Sequence, residues 1–85
     1  MKVVLYTNLS FGETCFFAKK AIDVPTLPPV GSNIIDGDYI LLAVEGIGFD
    51  IRTGEIEVHL EDESGKIEDM PEQRQLWIDS GWTLE

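Results

Sequence analysis

Residues 55–61 alternate strictly between polar and apolar side chains, and this alternation constrains the fold more than any other feature of the chain. A period of two is typical of a β-strand that buries one face and exposes the other. The buried side is predicted to consist of Ile56, Val58 and Leu60, and the exposed side of Glu55, Glu57, His59 and Glu61. The chain is therefore expected to fold around a β-sheet with one face in solvent.

Three other segments are predicted to join this strand in the sheet. Residues 2–7 are rich in Val, Leu and Tyr, and residues 39–44 are aliphatic on both alternating faces, as expected for a central strand. Residues 14–22 fit either a helix face or a strand, and we favour the strand. A short segment, residues 66–68, is expected to pair as one more strand.

Glycine and proline residues separate these strands. Gly46 and Gly48 indicate a bulge or a sharp bend. Residues 52–54 are predicted to form a three-residue hairpin loop with its glycine in the left-handed conformation. A second turn is expected at residues 62–65. Residues 24–31 contain three prolines, which forbid a helix and predict an extended connector.

The period changes near the end of the chain, where residues 71–80 are predicted to form a helix. Pro71 suits a first helical turn, and Gly81 suits the residue that ends a helix. A left-handed Gly81 would bring Trp82 into contact with Trp77, and these large rings would dock the helix on the sheet. The predicted fold is mainly β, within the α+β class. It is a single domain, residues 1–85, with a small bent antiparallel sheet or SH3-like barrel of about five strands and one C-terminal helix.

One run of residues resembles a known group of proteins. The sequence LPPVG at residues 27–31, followed by Ile34 and then by Tyr39 and Val44, is similar to the pattern of small uncharacterised bacterial and phage proteins with an SH3-like β-barrel. The resemblance covers residues 24–60, and those proteins commonly carry Asp where this chain has Ser32. It implies the barrel fold and no active site.

The charge of the chain is strongly negative and unevenly distributed. Sixteen Asp and Glu residues against six Lys and Arg residues give a formal charge of −10. Residues 1–33 carry +1 and residues 34–85 carry −11. Because this much negative charge repels nucleic-acid phosphates and anionic membranes, we expect neither nucleic acid nor a membrane as a direct partner.

The sequence offers little for catalysis. Its one cysteine, Cys15, cannot form an intramolecular disulfide, and residues 1–20 lack the features of a signal peptide, so a reducing, cytoplasmic setting is expected. Cys15 and His59 are the only candidate nucleophile and base, and a buried Cys15 with a surface His59 explains them more simply. Carboxylates crowd residues 61–72 but do not follow the spacing of an EF-hand loop. We therefore predict no enzyme, no catalytic residue, no metal site and no cofactor.

The acidic side of the 55–61 strand is the best candidate for a binding surface. Alternate residues of a strand lie about 6.6–7 Å apart, which is similar to the spacing of successive phosphates on a nucleic-acid strand. Together with the next two acidic residues they would form a ridge of negative charge that fits a basic groove. The candidate protein-binding residues are Glu55, Glu57, Glu61, Asp62 and Glu63. The predicted function is a non-enzymatic module that binds a protein partner with a basic surface, for example as a small inhibitor or a nucleic-acid mimic.

Three other interpretations stay open. Exposed carboxylates also keep a strand soluble and protect the edge of a sheet. The main alternative function is a structural or assembly subunit of a phage or mobile element, which forms homo-oligomers through apolar surface that includes Trp77, Trp82, Phe16 or Phe17. A small-ligand site or an enzyme would require a concave pocket lined by Tyr39, Phe49 and a polar group.

Overall fold

A curled, half-barrel sheet of seven strands dominates the computed structural model, which describes residues 1–85. The strands are β1 (Lys2–Phe11), β2 (Thr14–Asp23), β3 (Asn33–Asp36), β4 (Ile40–Asp50), β5 (Glu55–Leu60), β6 (Glu63–Gly65) and β7 (Thr83–Leu84). A 3-10 helix (Ile67–Asp69) leads directly into the one α-helix, α1 (Met70–Asp79). The strand order is β3-β4-β5-β1-β2-β7, and β6 pairs with β1 beyond the end of β5.

The predicted fold class is confirmed, although the sheet has more strands than the sequence indicates. The fold is mainly β with one short C-terminal helix. Neighbouring strands are antiparallel, except that β1 runs parallel to β5 and to β6. The additional strands are β3, β6 and β7, which have only two to four residues each. Such segments are too short to show a period of two in the sequence. No helix in the chain has the length and apolar character that crossing a membrane requires.

Residues 14–22 form a strand, as favoured from the sequence. β2 continues to Asp23 and pairs with β1 over the full length of both strands. A tight turn joins the two strands, with Gly12 in the left-handed conformation at φ 63°. Ala18 is buried, and Phe16 and Ile22 pack against the core from the same side of β2. The even-numbered residues of β2 therefore face inward.

Two predictions about residues 62–68 are wrong. The predicted turn at residues 62–65 contains β6, and the predicted strand at residues 66–68 lies at the start of the 3-10 helix. The reason is tertiary, because β1 extends to Phe11 and its last residues offer an edge that β6 joins in parallel. Nothing in the local sequence of β6 indicates this partner.

The β4–β5 hairpin follows the glycine pattern of the sequence. The register shift between Val44 and Gly46 is the predicted bulge, and Gly54 is left-handed as predicted, with φ 76°. The loop has four residues and not three, because the ladder closes at the pair Asp50 and Glu55. β4 continues through the glycines to Asp50, so the strand is longer than the predicted residues 39–44.

The predicted helix and its ending are confirmed. α1 ends before Gly81, whose φ is 93°. The backbone N–H of Trp82 donates to the carbonyl of Trp77 at 3.1 Å, and the two rings meet edge to face with centroids 4.8 Å apart. Trp77 and Trp82 are only 4% and 3% exposed. Both tryptophans therefore belong to the core, between α1 and the inner face of the sheet.

One polar cluster on the inner face joins distant parts of the fold. The Lys20 ammonium on β2 donates to Asp36 Oδ2 on β3 at 2.7 Å and to the Ser80 carbonyl after α1 at 2.6 Å. Trp82 Nε1 donates to the same Asp36 oxygen at 2.8 Å. Because β2 and β3 lie near opposite ends of the strand order, this cluster holds the curl of the sheet closed around the core.

Candidate binding site on the outer face

The outer face of the sheet, opposite the buried core, collects side chains from β1, β4 and β5. Odd-numbered residues of β1 are buried, so the even-numbered residues such as Tyr6 point outward. The parallel register sets Tyr6 beside His59 of β5, two residues after Glu57. The antiparallel register of β4 and β5 sets Asp50 directly opposite Glu55. The outer face of β5 is therefore lined by an aromatic residue on one side and a carboxylate on the other.

Tyr6 is the centre of this cluster. Its hydroxyl donates to Glu55 Oε1 at 2.5 Å. Its ring stacks on His59, with centroids 5.7 Å apart, and lies 5.4 Å from the ring of Phe17 on β2. Phe17 is 42% exposed and the His59 side chain 50%. Three adjacent strands thus present a row of aromatic rings to solvent.

Gly48 makes room for the second carboxylate of the cluster. Glu57 Oε1 lies 3.1 Å from His59 Nε2. A Cβ atom at Gly48 would lie 3.4 Å from that His59 nitrogen and 3.5 Å from that Glu57 oxygen. The missing side chain therefore lets the Glu57–His59 pair lie close to the backbone of β4, as a glycine inside a strand often allows.

The electrostatics of the cluster are anionic. The hydrogen bond to Glu55 raises the pKa of Tyr6 to about 12, with further contributions from burial and from the charges of Glu55, Glu57 and Asp50. Hydrogen bonds from Arg52 lower the pKa of Asp50. Neither Glu55 nor Glu57 has a Lys or Arg nitrogen within 4 Å, and across the whole chain only Asp36, Asp50 and Glu85 have one. The two glutamates therefore have no direct ion pair, although Lys2 lines two surface depressions together with Glu55, Lys19 pairs with Tyr6 across β1 and β2, and Arg52 lies beside Asp50.

The structure brings together two of the five predicted binding residues, Glu55 and Glu57. The third predicted residue, Glu61, follows the end of β5. Its Oε1 accepts a hydrogen bond from the Ala43 backbone N–H at 3.0 Å, beside the bulge of β4. Asp62 is exposed and accepts from the Asn8 side chain at 3.1 Å. Both carboxylates therefore accept hydrogen bonds from neutral donors.

Glu63 lies apart from the other predicted residues. It pairs with the buried Leu9 and lines a depression of about 200 Å³ next to Asp69 and Trp77, on the side of the sheet that α1 covers. Burial, together with the charge of Glu61, raises the pKa of Glu63. The role of all five residues in binding a protein stays a prediction, and Glu63 cannot share one flat contact surface with Glu55 and Glu57.

Sequence reasoning missed Tyr6, Phe17 and Asp50 as members of the site. The period of β1 marks Tyr6 as an outward residue, but the parallel pairing that carries it to Glu55 joins residues 49 positions apart. The sequence signal that could have pointed to the site is Gly48, because a glycine within an otherwise apolar strand indicates that another group lies close to the backbone there.

The expected environment of Cys15 is wrong, because this residue is exposed. Cys15 is an odd-numbered residue of β2, whose even-numbered residues face the core, and its Sγ lies 3.4 Å from Ser10 Oγ. His59 is a surface residue as expected. Its Nε2 lies beside Glu57, and its ring stacks on Tyr6.

The surface offers no other clear chemical site. No three His, Cys, Asp or Glu side chains are grouped closely enough to hold a metal ion. Tyr39 and Phe49 are 75% and 63% exposed, and neither lines any of the three surface depressions. The small-ligand interpretation therefore gains no support from the pocket that it required.

No family model, curated protein or solved structure matches the chain. The resemblance of residues 24–60 to SH3-like barrel proteins therefore stays a prediction. The function has to follow from the chemistry of the chain's own residues.

Proposed function

We propose that this protein is a non-enzymatic binding module that holds a basic protein partner against its outer face. The observation that carries the proposal is the convergence of Asp50, Glu55 and Glu57 around Tyr6, with no Lys or Arg nitrogen within 4 Å of the two glutamates. Like charges placed directly opposite each other on neighbouring strands destabilise a sheet. Asp50 and Glu55 are such a pair; Arg52 compensates Asp50 through an exposed contact, and a cationic partner would compensate Glu55 and Glu57.

The aromatic row favours the same partner chemistry. A cation held over the face of a Tyr or Phe ring within about 6 Å is attracted by the ring quadrupole. Arginine combines this stacking with hydrogen bonds to carboxylates, which makes it the best match for a surface of aromatic rings and glutamates. Tyr6, Phe17 and His59 supply the rings, and Glu55 and Glu57 supply the carboxylates. The partner is therefore proposed to present an arginine-rich surface, with this protein acting as an inhibitor or a nucleic-acid mimic.

A reducing, cytoplasmic setting belongs to the same proposal. Cys15 is the only cysteine, and its thiol is exposed and free. An exposed thiol in an oxidising compartment is readily oxidised or paired with another molecule. A free, exposed Cys15 therefore fits a reducing compartment.

The test is a titration with a defined basic probe. A synthetic peptide of alternating Arg and Ser is added to isotope-labelled protein, and binding is followed by the amide chemical shifts at two salt concentrations. The double variant Glu55→Gln/Glu57→Gln is compared with the α1 variant, Glu68→Gln/Glu72→Gln, which removes the same charge from exposed residues in the 3-10 helix and the first turn of α1.

The outer-face variant is expected to bind the peptide about fivefold to thirtyfold more weakly, because two partly exposed charged contacts contribute roughly 0.5–1 kcal/mol each. The α1 variant should bind much as the original chain does, and binding should weaken with added salt. Equal weakening in both double variants would mean that only net charge matters, and this result would refute the outer-face site.

A second candidate, assembly into homo-oligomers as a structural subunit of a phage or mobile element, is favoured by one apolar patch. Ile35 and Leu41 face each other on the outer side of β3 and β4 and are 73% and 58% exposed. Trp77 and Trp82, which the sequence offered for this role, are buried inside the chain. Light scattering over a range of concentrations tests this candidate, and a monomer at high concentration would count against it.

A further inference from the structure

The longest unpaired sheet edge next to the acidic cluster is the second half of β4. β3 pairs with residues 40–43 of this strand. Beyond β3, the Val44 backbone N–H donates to the Ser32 carbonyl, and its carbonyl accepts from the Gly31 N–H. From residue 46 to residue 50 the only strand partner of β4 is β5. We call these five residues the free edge. Their outward-facing backbone N–H and C=O groups have no partner strand.

The free edge has neither Lys nor Pro and no covering strand. Natural edge strands are blunted by charged side chains, especially Lys, by Pro, by bulges or by a covering segment, and here only Asp50 and the adjoining bulge are of that kind. The bulge of β4 precedes the free edge. Ile47 and Phe49 are 37% and 63% exposed although they pair with core-facing residues of β5. Such an apolar edge is a template for another extended chain.

The two faces of the free edge differ in chemistry, which selects what can bind there. The core side presents Ile47 and Phe49, whereas the outer side presents Asp50, which is paired with Arg52, and has Glu55 and Glu57 next to it. Alternate side chains of an added strand would contact these two faces in turn. Apolar and basic residues in alternation match them. A second copy of this chain matches poorly, because it would bring a further charge of −10 to the same edge.

We propose that the free edge binds an extended segment of the partner, with alternating apolar and basic residues, as an additional strand of the sheet. The basic character of the segment rests on the proposed function, whereas the strand addition rests on the unpaired backbone and on Ile47 and Phe49. Main-chain hydrogen bonds would supply affinity in this mode, and the alternating side chains would supply specificity.

The experiment uses three blocked octapeptides and the whole chain. The first peptide alternates Lys and Val, the second has the same composition with four Lys followed by four Val, and the third alternates Thr and Val. Affinity is measured by titration, and hydrogen exchange of the amides of residues 46–50 reports whether a strand has been added. Two protein variants carry the same added charge. Phe49→Lys places a lysine on the free edge, and Ile51→Lys places one in the hairpin loop, where the side chain is 85% exposed.

The alternating Lys–Val peptide is expected to slow exchange at residues 46–50 and to bind at least about tenfold more tightly than the four-plus-four peptide, a difference of only about 1.4 kcal/mol. Phe49→Lys should lose most of this affinity, whereas Ile51→Lys should lose little. Folding of both variants is checked by their amide spectra, which should change only near the substitution.

Each contrary outcome has a distinct meaning. Binding that shifts signals at Glu55 and Glu57 without protecting residues 46–50 would overturn the strand addition and leave the proposed function standing. Equal protection by the Thr–Val peptide would overturn the requirement for a basic segment and count against the proposed function. If the amides of residues 46–50 exchange more slowly when only the protein concentration is raised, without peptide, a second copy of the chain is the occupant and the inference is refuted.

Discussion

The carboxylate of Asp36 is expected to stabilise the fold more than any surface ion pair of this chain. Its Oδ2 accepts hydrogen bonds from Lys20 Nζ at 2.7 Å and from Trp82 Nε1 at 2.8 Å. The Lys20 and Asp36 side chains are only 21% and 25% exposed. Replacing Asp36 with alanine would leave the ammonium with one carbonyl partner, that of Ser80, and the indole N–H with none.

The cost can be worked from these two contacts. Both donors bind the same carboxylate, and a hydrogen bond to a charged group contributes about 1.5–3 kcal/mol before exposure is taken into account. After allowance for partial exposure, Asp36→Ala should lower the free energy of unfolding by about 2–4 kcal/mol. For a domain of this size, each kcal/mol corresponds to about 4–8 °C. The melting temperature is therefore expected to fall by roughly 10–30 °C.

A double-mutant cycle separates this interaction from a general loss of packing. Urea unfolding is followed by the fluorescence of the two buried tryptophans for Asp36→Ala, Lys20→Met and the double variant. Because each single variant leaves a partner unsatisfied, the double variant should cost less than the sum of the two, with a coupling of about 1–3 kcal/mol. The control is Lys19→Met, which breaks the exposed pair with Glu85 and should cost under about 1 kcal/mol. A coupling near zero, or an Asp36→Ala variant as stable as the control, would refute the reasoning.

Two further predictions concern Tyr6 and a tight contact of Gly65. The hydrogen bond to Glu55 raises the pKa of Tyr6 from 10.0 to about 12. As the pH rises, the Tyr6 hydroxyl therefore loses its proton in the unfolded chain before it does so in the folded chain. The resulting stability is complete below pH 10 and is lost as the pH rises towards 12; Tyr6→Phe should flatten this part of the stability–pH curve in urea unfolding. A Cβ atom at Gly65 would lie 3.0 Å from the Phe11 ring, whereas one at Gly46 meets nothing within 4 Å. Gly65→Ala should therefore cost about 1–3 kcal/mol and Gly46→Ala less than about 0.5 kcal/mol; equal costs would contradict the clash.

Local sequence patterns predicted the elements that have a clear period or a required backbone conformation. The alternation in β5 marked Ile56, Val58 and Leu60 as the inward set, and Val58 and Leu60 are buried while Ile56 packs against the core. Gly81 marked the end of α1 because a left-handed residue is needed there. Its consequence, the contact of Trp77 with Trp82, followed from the same local geometry.

The candidate site was predicted only in part, since its members come from strands that are distant in sequence. Glu55 and Glu57 share the outward side of one strand, which the period of two already shows. Tyr6 and Asp50 reach the same cluster through the registers of β1 and β4 with β5. A one-residue change in either register would place the opposite set of side chains on this face, and no local pattern specifies these registers.

The amino-acid sequence by itself determined the strongly acidic charge, the half-buried strand, the glycine-bearing hairpin and the capped helix, because each depends on neighbouring residues alone. Only the tertiary structure decided that β1 lies parallel to β5 and β6, that Lys20 and Asp36 join opposite ends of the sheet, and that residues 46–50 are left without a second partner. These features depend on how the sheet curls to bury its core, and that choice is made by contacts between residues many positions apart.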